Sequence, residues 1–213
     1  MNTTTMQTND FSAIITGRRS IRKYDPSVKI SKEEMEQILT EATLAPSSVN
    51  MQPWRFVVIE SAEGKAKLAP LAKFNQQQVE TSSAVIAVFG DMNNFDYAEE
   101  IYGAAVERGL MPAEVKERQL AAFGAHFANL PASITRETAI IDAGLVSMQL
   151  MLVARAHGYD TNPIGGYEKE QIAEAFGLDK ERYIPVMLLS IGKAAEEGYA
   201  SVRLPIHRIA QWA

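Results

Sequence analysis

Apolar residues first recur at helical spacing behind Ser31-Lys32-Glu33-Glu34, where Met35, Ile38, Leu39 and Ala42 fall three and four apart. The pattern predicts an amphipathic helix opened by a capping box, with Ser31 bonding the backbone three residues on, Glu34 reaching back, and the helix running to about Ala45. Before it, Asp10 is expected to cap a short helix over Phe11 to Thr16, stopped by Gly17 in the left-handed conformation. Trp54 to Glu60 reads as a strand, Glu63 to Gln78 as a helix, and Ala84 to Phe89 as a short apolar strand ended by Gly90 and Asp91. Asp96 to Asn129 carries a helical pattern broken near Gly109 and Pro112, and is expected to leave the main layer as an excursion or lid. Pro131 and Ser133 open a further helix that reaches His157 and stops at Gly158. Between Ala139 and Ala156 that helix is apolar almost all round, as expected of a buried helix at the centre of the core or of a subunit interface. A Pro-Gly turn at Asn162 to Gly166, a helix over Glu168 to Phe176 and a buried strand over Ile184 to Ile191 follow. The tail after Gly198, with Val202, Leu204, Pro205, Ile206, Ile209 and Trp212, is too apolar for solvent and too irregular for a clear helix. It must dock on its own subunit or extend across a partner.

Composition narrows the picture. With 213 residues, 46% of them hydrophobic, the chain fits one compact domain with a sizeable core. A net charge of −5 argues against a general nucleic-acid surface. No cysteine is present, which removes disulfides, thiolate nucleophiles, iron-sulfur ligation and thiolate zinc, and makes a cytoplasmic protein the simplest reading. Met1 to Asn9 is polar, lacks the pattern of a secretory signal and is expected to be disordered. The window Ala139 to Ala156 is interrupted by Asp142, Gln149 and Arg155, so no membrane span is expected. No Gly-x-Gly-x-x-Gly follows a strand, Gly64-Lys65 lacks the rest of a P-loop, and there is no Gly-x-Ser-x-Gly elbow. His126, His157 and His207 are scattered, so no metal centre is expected, and His157 suits a helix C-terminus as a partner of the dipole.

Three segments carry candidate chemistry. Arg18-Arg19-Ser20-Ile21-Arg22-Lys23 places four cations and a hydroxyl within six residues. It reads as a phosphate clamp or as a solvated surface run. Pro46-Ser47-Ser48-Val49-Asn50-Met51-Gln52-Pro53-Trp54 is stiff at both ends, and the amides of Asn50 and Gln52 donate and accept at once, which suits the edge of a planar heterocycle. Its plainer reading is a rigid connection whose Ser47 and Ser48 bond their own backbone. Gly165 and Gly166 would let a flat ring approach the backbone, or simply make a turn.

Taken together, Arg-Arg-Ser-x-Arg near the start, the Pro46 to Trp54 motif, Pro163-Ile164-Gly165-Gly166-Tyr167 and Arg203-Leu204-Pro205 resemble the FMN-dependent nitroreductase family in order and spacing from about Phe11 to Ile206. The resemblance implies an α+β fold, with a mainly antiparallel sheet flanked by helices around a central buried helix. It also implies an intertwined homodimer with two FMN sites at the subunit interface, each built from both chains. On it, Arg18, Arg19 and Ser20 contact the FMN phosphate and ribityl chain, and Arg22 reaches the pyrimidine side of the ring. Pro46, Ser47, Ser48, Asn50 and Gln52 come from the other subunit, Pro163, Ile164, Gly165 and Gly166 lie along the flavin, and Arg203 closes on the phosphate. Family members often carry a glutamate where Gly165 stands and a lysine where Ser201 stands. The implied reaction is a ping-pong hydride transfer from NADH or NADPH to a nitroaromatic, quinone or similar acceptor, with no side chain as nucleophile or base. Phe123, on the excursion, is the candidate substrate contact. The rivals are another flavin enzyme on the same scaffold, such as a dehalogenase or a flavin-consuming enzyme, and a non-enzymatic flavin- or anion-binding module.

Overall fold

The structure, a computed structural model, describes residues 7–213. The disorder expected at the start therefore bears mainly on residues 1–6, which lie outside the described residues. Gln7 and Thr8 each donate a backbone N–H to the carbonyl of Ala156.

Four strands, β1 (Trp54–Ile59), β2 (Ala84–Asp91), β3 (Asp160–Ile164) and β4 (Tyr183–Gly192), form one antiparallel sheet in the order β1-β2-β4-β3. Eight α-helices accompany it among the described residues: α1 (Phe11–Gly17), α2 (Lys32–Ala42), α3 (Ala62–Leu68), α4 (Gln76–Thr81), α5 (Ala98–Glu107), α6 (Ala113–Phe127), α7 (Ala132–Ala156) and α8 (Lys169–Ala175). The α+β class and the antiparallel sheet are as expected. β2 is buried along its whole length because it is central and covered on both faces. Its alternation divides the core. Ile86 and Val88 point to the layer shared with Ile38 of α2 and Ala143, Val146 and Leu150 of α7, while Val85, Ala87 and Phe89 point to the layer of Leu68, Val79 and Ile172.

Several local expectations are corrected. Gly17 is the last residue of α1, and the positive-φ glycines are Gly109, Gly158, Gly177 and Gly198. The helix ends because Arg18 is extended, and the missing side chain at Gly17 leaves room for the guanidinium of Arg155, which a Cβ would meet at 2.8 Å. Ser31 Oγ accepts the N–H of Glu34 at 3.1 Å, but Glu34 does not reach back; its Oε2 accepts the Tyr159 hydroxyl at 2.7 Å. Glu63 to Gln78 is not one helix. Pro70 has no N–H to give and crowds the turn before it, so α3 passes into two 3₁₀ turns, Ala69–Leu71 and Lys73–Asn75, before α4. Asn162 and Pro163 belong to β3 instead of a turn; proline is admitted there because β3 is an edge strand. Gly109, with φ of 68°, and Pro112 separate α5 from α6 as expected.

The central helix α7 packs its inner side on α2 and the sheet, but the side carrying Ile134, Ile141, Leu145 and Met148 is open in the single chain. After Gly198 the chain makes only a 3₁₀ turn at Ile206–Arg208, and its apolar side chains are exposed.

Candidate functional site

The basic segment is fixed from beneath. Ile21 and Tyr24 are buried, and the Tyr24 hydroxyl lies 2.8 Å from Ser190 Oγ. Desolvation pushes that hydroxyl far above its ordinary pKa. Ser20 bridges Thr161 in parallel, and Ile21 donates to the Thr161 carbonyl, so the segment lies along the open edge of β3. With Ile21 and Tyr24 turned inward, Arg22 and Lys23 are exposed. Their backbone N–H groups donate to Glu196 Oε1 at 2.6 and 3.3 Å, and the Arg22 guanidinium lies 5.6 Å from the centre of the Tyr199 ring. Arg19 donates to the carbonyls of Thr16 and Arg18, and Arg203, far down the tail, to that of Val202. Among the described residues none of Arg18, Arg19, Arg22 and Arg203 is paired with a carboxylate, whereas Arg55, Arg155 and Arg182 all are. Cations without internal counterions suit an external anion better than a structural network.

β3 carries the chain from this segment to the glycine pair. A Cβ on Gly165 would meet nothing within 4 Å, and one on Gly166 only Asn75 Nδ2 at 3.9 Å. Neither has a positive φ. Packing within the chain and turn geometry thus leave both positions free to carry a side chain, and what their bareness provides is an open face of backbone. Asn75 was not anticipated from the sequence. Its Nδ2 donates to the Gly166 carbonyl at 3.1 Å and its Oδ1 accepts from Gln78, which ties the turn before α4 to the glycine pair. The available signal was Pro70, which breaks the helical run before Asn75.

The second polar segment is strained. Val49, Asn50 and Gln52 have φ of 43°, 58° and 49°, a region that costs a side-chain-bearing residue about 1–2 kcal/mol. The loop is held from several sides. Ser48 N–H donates to Asp142 Oδ2 at 3.0 Å, Gln52 N–H to Ser47 Oγ at 3.0 Å, and the Tyr102 hydroxyl to the Val49 carbonyl at 2.9 Å. Asp142 is buried on α7, and that burial raises its pKa against the opposing pull of the Ser48 N–H. Ser47 therefore serves its own loop, while Asn50 is exposed and Gln52 half-buried; among the described residues their amides make only long 3.4 Å contacts, from Gln52 Nε2 to the side-chain and backbone oxygens of Asn50. Pro46 is exposed at the loop's entrance. No hydrogen bond or ion pair among the described residues joins this loop to the Arg18–Arg22 segment, since one is anchored on α7 and the other on β3.

Phe123 of α6 is half-buried in a satellite cluster with Phe95, Phe127, Tyr102, Met51 and Val49, so the excursion packs against the strained loop. His157 lies elsewhere, buried between α7 and α2 with Nε2 3.0 Å from Glu41 Oε2.

The family model of the nitroreductases, described as the nitroreductase family, matches residues 15–193. The chain belongs to the nitroreductase family. Relatives extend over nearly its whole length. YdgI of Bacillus subtilis, which bears the provisional name of an NAD(P)H nitroreductase, is 76% identical over 207 residues, 97% of this chain and 99% of its own. The CLA biosynthesis enone reductase of Lactiplantibacillus plantarum is 38% identical over 92% of this chain and 90% of its own. Among solved structures, a provisionally named nitroreductase from Exiguobacterium sibiricum, crystallised in complex with FMN, is 71% identical with a TM-score of 0.96, covering 98% of this chain and 100% of that one. The basic edge segment, the bare glycine pair and the strained loop thus lie within a chain of the nitroreductase family.

Proposed function

We propose that this nitroreductase-family protein is a cytoplasmic homodimer that binds FMN and transfers reducing equivalents from NADH or NADPH to a nitroarene, a quinone or a similarly electron-poor acceptor. The observation that carries the reading is the placement of unpaired Arg18, Arg19 and Arg22 along the edge of β3, which ends in the bare backbone of Gly165 and Gly166. An anionic tail and a flat ring are what those two features suit. The FMN complex of a 71% identical chain supports the same assignment.

Bound FMN supplies the redox chemistry, taking up two electrons and passing them on in a ping-pong sequence. The chain's own residues position and polarise. Arg18, Arg19 and Ser20 hold the phosphate and sugar-alcohol chain, with Arg203 closing from the tail, and Arg22 places positive charge where negative charge gathers on the pyrimidine side. Gly165 offers a backbone N–H at the ring in place of the glutamate common in the family, and with Ser201 in place of lysine the phosphate grip rests on the arginines. Asn50 and Gln52, from the loop of the second copy, serve the polar edge of the ring, and their strained backbone fixes them there. The excursion covers the open face, where Phe123 contacts the acceptor. An α,β-unsaturated carbonyl is a second acceptor class, favoured by the similarity to the enone reductase.

The test is spectroscopic. The purified protein is expected to show flavin absorbance, to bleach anaerobically with NADPH and to reoxidise stoichiometrically with a quinone. Arg22→Ala is expected to retain FMN but to be reduced roughly tenfold more slowly. Loss of the ring itself would indicate a flavin-consuming enzyme, and a protein that stays colourless after incubation with FMN ends the reading.

A further inference from the structure

After β4 the chain turns back across the basic segment and straps it down. Ala194 bridges Tyr24 in antiparallel sense, Ala195 donates to the Lys23 carbonyl at 3.0 Å, and Glu196 Oε1 accepts the N–H groups of Arg22 and Lys23. Gly198 then passes so close that a Cβ there would lie 2.9 Å from Arg19 Cβ and from Ile21 Cδ1, and its φ of 70° also suits glycine. Tyr199 brings its ring to the Arg22 guanidinium. One carboxylate is thus bonded to a segment of four cations, and its placement is uneven. It sits on the backbone of Arg22 and Lys23, whereas Arg18 and Arg19 have no carboxylate partner among the described residues, and Arg19 donates only to carbonyls. Two backbone donors need an acceptor there, which a neutral amide would also supply; they do not need a negative charge. That charge is felt nearby. Desolvation chiefly, and then the charges of Asp160 and Glu196, hold the Tyr24 hydroxyl above its ordinary pKa.

We propose that Glu196 is a positioning residue that fixes Arg22 beside the flavin and, by its charge, tempers the pull of that arginine on the ring's electrons. The inference rests on the FMN reading above. A cation at the pyrimidine side favours reduction of the ring, and a carboxylate bonded to the same residue opposes it. A ring that must pass its electrons on to an acceptor gains from that restraint. The cations assigned to the phosphate need none, and none is bonded to them.

The experiment reads the midpoint potential of bound FMN, by anaerobic equilibration of the purified FMN-loaded protein with a reference dye. Glu196→Gln keeps an acceptor oxygen for both N–H groups and removes the charge. Its two-electron equilibrium is expected to shift about tenfold toward reduced flavin, a rise of about 30 mV. Glu197→Gln makes the same change in net charge at an exposed neighbour with no bond to the segment among the described residues, and is expected to shift the equilibrium less than about twofold, because solvent and salt screen it. An unchanged or lower potential in Glu196→Gln, or failure of that variant to fold or to hold FMN, would reduce Glu196 to a structural tie and overturn the proposal. An equal rise in Glu197→Gln would overturn it too, by making the potential a matter of net charge. These outcomes are read against a flavin-loaded wild type, so they are distinct from a wild type that binds no FMN, which ends the reading on which the proposal rests and the proposal with it.

Discussion

Val49, Asn50 and Gln52 hold left-handed backbone within four positions without a glycine among them. Asn tolerates that region because its short amide can bond locally, whereas a β-branched Val is among the residues least suited to it. Such backbone persists only where its surroundings over-determine it, and here Asp142, Ser47 and Tyr102 clasp the loop from three directions. A strain held for stability's sake would be self-defeating, so its use is to aim the amides. Gln52→Gly tests this. Glycine elsewhere in an ordered segment costs about 0.5–1 kcal/mol, but at a φ of 49° the relieved strain offsets that loss. The melting temperature of the flavin-free variant is therefore expected to be unchanged or higher, while its Kd for FMN rises about tenfold from loss of the Gln52 amide and of loop rigidity. A variant that melts well below the wild type and still binds FMN normally would show that the loop's conformation serves the fold alone.

At the scale of elements, the patterns that set up the core were legible because they are local. Ser31 and the spacing of Met35, Ile38 and Ala42 define α2, and Gly109 with Pro112 breaks the excursion, since capping, periodicity and proline act through the nearest few residues. β3 was not legible: Asn162-Pro163 has turn chemistry, and only its edge position in the assembled sheet makes it a strand. The site was partly legible for the same reason. The cations and glycines stand out in sequence, but Asn75 comes to Gly166 through a tertiary turn. Equally silent was Asp91, at the end of β2 and fully buried, which accepts from Arg182 at 2.8 and 3.0 Å and pairs with Arg55 at 3.2 Å. Tyr97 stacks on Arg55 with 4.2 Å from guanidinium to ring centre, so this network fastens the root of the excursion to the sheet. Asp91→Asn leaves Arg55 without its counterion and Arg182 with only the exposed Asp96 at 3.2 Å, and is expected to cost about 3–5 kcal/mol, read as a fall in the urea midpoint. A loss below about 1 kcal/mol would mean that water serves these arginines as well as the carboxylate does.

For the whole molecule, the decisive feature is what one chain leaves uncovered. Ile134, Ile141, Leu145 and Met148 recur at seven, four and three along α7, on one side of the helix, with exposures of 42%, 64%, 43% and 42%. Read as a sequence, α7 was apolar all round and so expected to be buried; within one chain only its inner side is. Isolated exposed apolar residues are unremarkable, but a stripe of this length on the central helix marks an interaction surface. Tyr199, Val202, Leu204, Ile206, Ile209 and Trp212 in the tail leave a second apolar set exposed, one that a partner could also cover. A second copy of the chain would satisfy both, and it would also bring an Asn50–Gln52 loop to an Arg18–Arg22 segment that no hydrogen bond or ion pair among the described residues joins to it within one chain. Leu145→Glu separates these consequences. The change puts a charge in the stripe without disturbing the inner side, so the monomer is expected to keep its helical circular dichroism while sedimenting as a single chain and losing its bound FMN. Persistence of a dimer would remove α7 from the interface. A monomer that holds FMN as tightly as the wild type would mean that one chain completes the site, and that Asn50 and Gln52 are not shared between copies.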